Sequence, residues 1–305
     1  MKLTKLVSDY YSSYEYKDLR DITKTQYAYF LGVMLHTVID GQPLREYKLE
    51  NITTKMAKLS YTMWCDKGIS MANHIMSVTR TVFNYGLREE YCLLNPFANV
   101  RRRSTDSRKV VWSRADIEKL LSTAYSDFNT RNVGLIAHMA YEWCQRLGDM
   151  RVLTWDNINF DTQTVHIEQS KRRAEVHLPI SDDLFAMLKQ QEKDFGFQPF
   201  VAPRPKPYMG EYRPYSLQKL PIAARNLMNS AGLSKELRLA DLRRTGTTEM
   251  VEAGVGIAQI MSVTGHANPA SVKPYIKNTL KSAEYALTER NLHGKSMASA
   301  EKKSI

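Results

Sequence analysis

Residues 237–275 read LRLADLRRTGTTEMVEAGVGIAQIMSVTGHANPASVKPY, and the rest of the chain is organised around them. Arg243 lies in a dense basic and apolar run, LADLRRT. His266 follows a glycine at the end of an apolar helical pattern. Tyr275 stands nine residues further on, past a turn rich in Asn, Pro and Ser. A guanidinium, an imidazole and a phenol in one place suit phosphoryl transfer. Arginine binds a phosphate oxygen through two parallel N–H bonds. A phenol oxygen attacks phosphorus to form a covalent ester. An imidazole hydrogen-bonds a phosphate oxygen or moves a proton. The chain has 17 tyrosines, and polar-tipped aromatics ordinarily fill space. The order and spacing of the whole set therefore carry the reading.

Working outward, helices are expected over 215–231 and 241–253, on either side of Arg243. Residues 198–214, QPFVAPRPKPYMGEYRP, are rich in Pro and aromatics and read as an extended connection. Before them lie two period-2 runs, 164–169 and 175–179, around a short polar turn. That pattern predicts a β-hairpin. Lys171 begins its turn, where a lysine is ordinarily just solvent-exposed. Further upstream, an apolar helix over about 133–144 leads into CQRLGDMRVLTWDNINF. Arg146 emerges where that buried helix ends, and an isolated charge there is costly unless paired. Asp149, three residues on, fits either a structural ion pair or the orienting partner of a working cation. Ser113 with Asp116 marks a helix start before 117–125.

These features together resemble the tyrosine recombinases, the phage integrase family. In that family an arginine is followed by an acidic residue at +3, Leu at +7 and Trp at +9. Arg146, Asp149, Leu153 and Trp155 match those positions. The family's later pattern is HxxR, then LGH or a variant, then Tyr nine residues on. Arg243, Thr264-Gly265-His266 and Tyr275 match it, with one departure: Ala240 stands where the family usually has His. The resemblance implies that Tyr275 attacks a DNA phosphodiester and holds the 3′ phosphate. It implies that Arg146 and Arg243 stabilise the non-bridging oxygens and that Lys171 protonates the leaving 5′ hydroxyl. His266 is implied to hydrogen-bond the phosphate. No cofactor or metal is expected. The implied partners are double-stranded DNA, three further copies in a homotetramer on paired sites, and accessory DNA-bending proteins.

The chain has 305 residues, enough for two domains. Its formal net charge is +11, which favours a polyanionic partner. The excess is densest in RRRSTDSRKVVWSR, residues 101–114, with 6 basic residues against 1 acidic. This stretch lacks helical periodicity and reads as a linker, with Arg101, Arg102, Arg103, Arg108 and Lys109 as candidate DNA-backbone contacts. Three widely spaced cysteines, Cys65, Cys92 and Cys144, suggest neither a disulfide framework nor a zinc site. No window of 18 apolar residues exists, and the first residues lack a signal-peptide core. A cytoplasmic protein of a bacterial host cell is expected.

Residues 1–100 read as a compact bundle of about four helices. Apolar spacing runs from Thr23 to Val38, an Asp40-Gly41 turn follows, Asn51 or Thr53 caps a second helix, Ser70 opens a third, and Asn95-Pro96 stops the region. The resemblance implies an N-terminal core-binding domain here, and because the helical pattern begins almost at once, no arm-binding domain is expected ahead of it. Beyond Tyr275, residues 280–292 look helical, and family tails of this kind dock on a neighbouring protomer.

The expected fold is mostly α with a small antiparallel β-sheet, in two domains. A helical core-binding bundle (1–100) and a linker (101–114) precede an α+β tyrosine-recombinase catalytic domain (115–305). The expected function is site-specific DNA recombination by a covalent phosphotyrosine intermediate, for integration and excision. Three rivals remain. One is a non-cleaving DNA-binding module of the same fold, which Ala240 allows. Another is a type IB topoisomerase, which shares the chemistry but relaxes DNA as a monomer. The third is a basic structural nucleic-acid binder, which leaves the five-residue constellation unexplained.

Overall fold

The structure is a computed structural model that describes residues 1–106, 108–171, 173–276, 283–284 and 286–292. The chain divides into two compact units, Met1–Arg108 and Lys109–Ile305.

The first unit holds α1 (Leu3–Ser12), α2 (Tyr14–Lys17), α3 (Asp21–Leu35), α4 (Thr54–Cys65) and α5 (Ile69–Arg88). The Thr53 hydroxyl accepts the Met56 amide and starts α4. The longest helix, α5, buries Ala72, Ile75, Met76, Val82 and Phe83 at helical spacing. Helix α3 stops at Leu35, short of the expected Val38. Val38 and Ile39 instead form β1, which pairs with β2 (Gln42–Pro43). Asp40 and Gly41 both have positive φ, as a two-residue hairpin of this hand requires. The Asn95-Pro96 turn ends the bundle. Asn95 Oδ1 accepts the Phe97 amide, and Phe97 is buried in stacked contact with Trp64.

Near the start of the second unit, Trp112 is buried inside the basic stretch. Its amide donates to Thr245 Oγ1 and its indole to the Arg238 carbonyl. Ser113 caps α6 (Arg114–Tyr125), accepting the Asp116 amide. Helix α7 (Phe128–Glu142) is buried on nearly all sides. Its Gly134 lets α6 approach closely, because a Cβ there would stand 2.3 Å from Ala124 Cβ. After the short α8 (Leu147–Met150) comes a three-stranded antiparallel sheet in the order β3 (Ile158–Asn159), β4 (Thr164–Glu168), β5 (Glu175–Pro179). Val165 faces Leu178 and Ile167 faces Val176 in register, and all four are buried. Helices α9 (Asp182–Phe195), α10 (Lys219–Ser230), α11 (Leu242–Glu252) and α12 (Ile257–Thr264) complete the unit.

The mostly helical fold with a small antiparallel sheet is as expected. Several details differ. The hairpin gains β3 as a third strand, too short to show a period of its own. Helix α9 lies between the hairpin and the proline-rich connection. Helix α10 begins at Lys219 and not at 215, because the Ser216 hydroxyl and carbonyl both accept the Lys219 amide. Of the expected tail helix, residues 283–284 and 286–292 are helical, and 280–282 and 285 lie outside the described residues. Among the described residues no helix is long and apolar enough to cross a membrane.

Candidate active site

Three breaks in regular structure build the site. The first is the end of α7. The chain turns through Cys144 at φ 52°, Gln145 donates its amide back to the Ala140 carbonyl, and Arg146 then caps α8. The second is the exit of β4, where Val165, Ile167 and Gln169 alternate on the inward side. The third is the end of α12. Gly265, at φ 67°, closes that helix in the left-handed conformation with its amide on the Met261 carbonyl. His266 comes next.

The side chains from these breaks meet. Arg146 Nη1 donates to Gln169 Oε1 at 2.7 Å and lies 3.8 Å from Asp149 Oδ2. Gln169 is fully buried, and its Nε2 donates to the Thr264 carbonyl and to Gln145 Oε1, both at 2.7 Å. That same Thr264 carbonyl accepts Arg243 Nη2 at 2.9 Å. Arg243 comes from the first turn of α11. The outer side of α11 is tied to α7 by the Tyr141 hydroxyl, which donates to Glu249 at 2.7 Å and accepts from Arg114.

Arg243 Nη2 also reaches His266 Nε2 at 3.1 Å. The Thr264 hydroxyl donates to the Ile260 carbonyl, so its oxygen can only accept from His266 Nδ1, 2.8 Å away. This hydrogen-bond pattern assigns the ring hydrogen to Nδ1 and leaves Nε2 as the acceptor facing Arg243. Burial, and then the neighbouring Arg146 cation, push the Arg243 guanidinium below its ordinary value. An arginine stays charged under such pressure. Its Nη1 is buried without a hydrogen-bond partner among the described residues. Two cations held close together beside the carboxylate of Asp149 leave the site net positive, and both Arg243 Nη1 and Asp149 Oδ2 lack hydrogen-bond partners among the described residues. Cys144, buried beside Arg243, is pushed up to about 11 by burial and stays a neutral thiol.

Tyr275 ends a short 3-10 turn, Lys273–Tyr275, anchored by the fully buried Val272. Its ring centroid is 6.1 Å from that of His266, and the Arg244 guanidinium lies over the ring at 5.0 Å. Arg146, Arg243, His266 and Tyr275 are thus brought together. Lys171 is not. It is exposed in the hairpin turn, which closes where the Gln169 amide donates to the Ala174 carbonyl. Asp149 is buried and accepts the Ser170 amide, tying the base of that turn to α8. Ala240 is exposed in a 3-10 turn, Leu239–Asp241, just before α11. Arg101, Arg102, Arg103 and Lys109 are exposed and Arg108 is half-buried.

Sequence reading missed Gln169, Gln145, Thr264 and Arg244. One signal for Gln169 exists: an amide on the inward side of a period-2 strand must find buried partners.

Residues 111–281 match the model of the phage integrase family. Among solved structures, a lambda integrase dimer bound to a COC′ core site is similar at TM-score 0.73 and 19% identity, covering 91% of this chain and 78% of that one. A lambda integrase tetramer bound to a Holliday junction gives 0.75 and 18%, over 91% and 78%. A Tn1549 transposon integrase in complex with a circular intermediate DNA gives 0.76 and 14%, over 95% and 99%. At these identities the likeness establishes the fold. No curated protein matches the chain.

Proposed function

The chain belongs to the phage integrase family, and from that membership we propose that it cleaves and rejoins double-stranded DNA at specific sites through a covalent phosphotyrosine. The observation that carries this reading is the convergence of Arg146, Arg243, His266 and Tyr275 around a site short of negative charge. A DNA phosphodiester supplies the missing anion. Tyr275 Oη attacks phosphorus, the P–Oη bond forms, and the bond to the 5′ oxygen breaks. The two guanidiniums stabilise the charge that grows on the non-bridging oxygens, as fixed donors do best. His266 Nε2 gives up its bond to Arg243, takes the proton that the Tyr275 phenol releases as it attacks, and then donates that hydrogen to a phosphate oxygen. Lys171 delivers a proton to the 5′ oxygen. That step requires the hairpin turn to close on DNA, because Lys171 is exposed in the free chain. The ester conserves bond energy, so attack by a new 5′ hydroxyl religates without ATP.

A lambda integrase tetramer on a Holliday junction is among the similar structures, which supports a homotetramer on paired sites here. Integration or excision of a mobile element, phage or transposon, follows as the biological role. The exposed Arg101, Arg102, Arg103 and Lys109 supply sequence-independent backbone affinity. Accessory DNA-bending proteins and a DNA-gripping role for the first unit belong to the same reading.

One observation favours a second reading. Ala240 offers no imidazole, which fits a module that binds DNA without cutting it. A half-site suicide substrate separates the two: an adduct that requires Tyr275 supports the recombinase, and its absence from the wild-type protein supports the binding module. Junction formation between two duplexes then distinguishes recombination from topoisomerase-like relaxation.

A further inference from the structure

We propose that Gln169 is a positioning residue that locks the two site arginines into one geometry through a single buried amide. The proposal rests on the phosphoryl-transfer reading above and adds a residue to it. Gln169 is fully buried, and every hydrogen-bonding group of its side chain is engaged with a specific part of the site. Its Oε1 takes Arg146 Nη1. Its two N–H groups go to Gln145 Oε1 and the Thr264 carbonyl. The amide has one possible orientation. Gln145 uses its own Nε2 on the Trp143 and Val263 carbonyls, so it presents only its oxygen to Gln169. Because Thr264 O also accepts Arg243 Nη2, the run Arg146–Gln169–Thr264–Arg243 is continuous, each bond between 2.7 and 2.9 Å.

Three further observations point the same way. Gly265 has no side chain where Gln169 packs; a Cβ there would stand 2.4 Å from Gln169 Nε2. Asp149, the anionic partner nearest Arg146, lies further off at 3.8 Å and spends Oδ1 on the Ser170 amide. A neutral acceptor at 2.7 Å thus aims Arg146 without cancelling the charge a phosphate needs. Finally, Gln169 stands at the exit of β4, two residues before Lys171, so the same amide fixes the base of the turn that carries the lysine.

The test is single-turnover adduct formation on a half-site suicide substrate, with DNA affinity and unfolding measured alongside. Gln169→Met keeps the length and removes all three bonds. We expect adduct formation to slow about 10- to 100-fold, the scale of a misplaced reacting group, with DNA affinity within about twofold of the wild-type protein. On an Arg146→Lys background, Gln169→Met should cost little more, since both changes damage one function. Gln169→Glu keeps the shape but loses both N–H donors and pairs its charge with Arg146; it should be at least as slow as Gln169→Met. It also serves if the Met variant fails to fold. A wild-type rate in Gln169→Glu, a wild-type rate per folded molecule in Gln169→Met, or a loss that adds in full to that of Arg146→Lys would each overturn the proposal.

A readout independent of cleavage keeps this proposal separate from the function. The Arg146 guanidinium NH signals of the free protein, followed by 15N NMR, should exchange slowly in the wild-type protein and quickly in Gln169→Met. If the wild-type protein forms no adduct, the recombinase reading falls, and these signals alone decide the positioning: slow exchange lost in the variant supports it, unchanged exchange overturns it.

Discussion

Gly265→Ala tests how tightly the site is built. Gly265 has φ 67°, and placing Ala there costs about 1–2 kcal/mol from backbone conformation alone. The new Cβ would lie 2.4 Å from Gln169 Nε2 and 2.8 Å from its Cδ, nearer than real Cβ atoms approach. Gln169 cannot swing aside cheaply, because it is fully buried and held by three bonds of 2.7 Å. Shifting its amide weakens the bonds to Gln145 and Thr264, each worth about 1 kcal/mol net, and strands buried polar groups at about 1–3 kcal/mol. The expected total is about 4–7 kcal/mol on the second unit. Urea unfolding of the full chain, followed by tryptophan fluorescence, measures it; Trp112, Trp143 and Trp155 all report on that unit. The same substitution on a Gln169→Ala background removes the clash and should cost only the backbone part, about 1–2 kcal/mol. A loss below about 1 kcal/mol in the single variant, or equal losses on both backgrounds, would refute the packing argument.

Other outcomes follow from the same geometry. Tyr275→Phe should abolish the covalent adduct and leave DNA binding intact, because the ring and its place beside His266 and Arg244 survive; an adduct from the Phe variant would mean a different nucleophile, with Tyr285 and Tyr208 the next to test. Replacing Arg101, Arg102 and Arg103 with Ala should flatten the salt dependence of binding on specific and random DNA alike, by roughly 0.9 in log–log slope per lost phosphate contact. An unchanged slope would remove these arginines from the interface. Ala240→His should be tolerated, within about 0.5 kcal/mol of stability, since Ala240 is exposed on a cavity of about 490 Å³ beside Leu147 and Gly148. His266→Ala should slow adduct formation about 10²–10⁴-fold and should hurt less once Ala240→His supplies a second imidazole. Adduct formed by Ala240→His but not by the wild-type protein would show that the natural chain does not cut.

The parts legible in the sequence are those whose cause is local. Alternation exposed the strands around Lys171, because a half-buried strand must repeat every two residues. Ser113 and Thr53 announced their helices because a hydroxyl before the first turn satisfies an orphan amide. Gly265 marked a helix end for an equally local reason. What stayed hidden depends on partners far along the chain. Gln169 meets Gln145 and Thr264, 24 and 95 residues away, and no periodicity encodes such a meeting. Strand β3 spans two residues and exists only because β4 offers it a ladder. The Asp149 expectation rested on a +3 spacing; Asp149 is indeed near Arg146, but Gln169 comes closer, for reasons of three-dimensional packing. Helix α9 is a different case. Ser181, with Asp182 and Asp183 after it, was a readable start signal, and the Ser181 hydroxyl does accept the Leu184 amide.

The division of the site between core and rim has an evolutionary consequence. Gln169 is fully buried, and Arg146 and Arg243 are half-buried and tied to it directly or through Thr264, so losing one disturbs the body of the second unit. Tyr275 ends a 3-10 turn and is held there by Val272 and by ring contacts with His266 and Arg244. If the proposed function holds, one nucleotide change at that codon removes the nucleophile while leaving a folded protein with its cationic pocket intact, and the reverse change returns it. On that reading, the step between cutting DNA and merely gripping it is a single reversible substitution at the rim of the site.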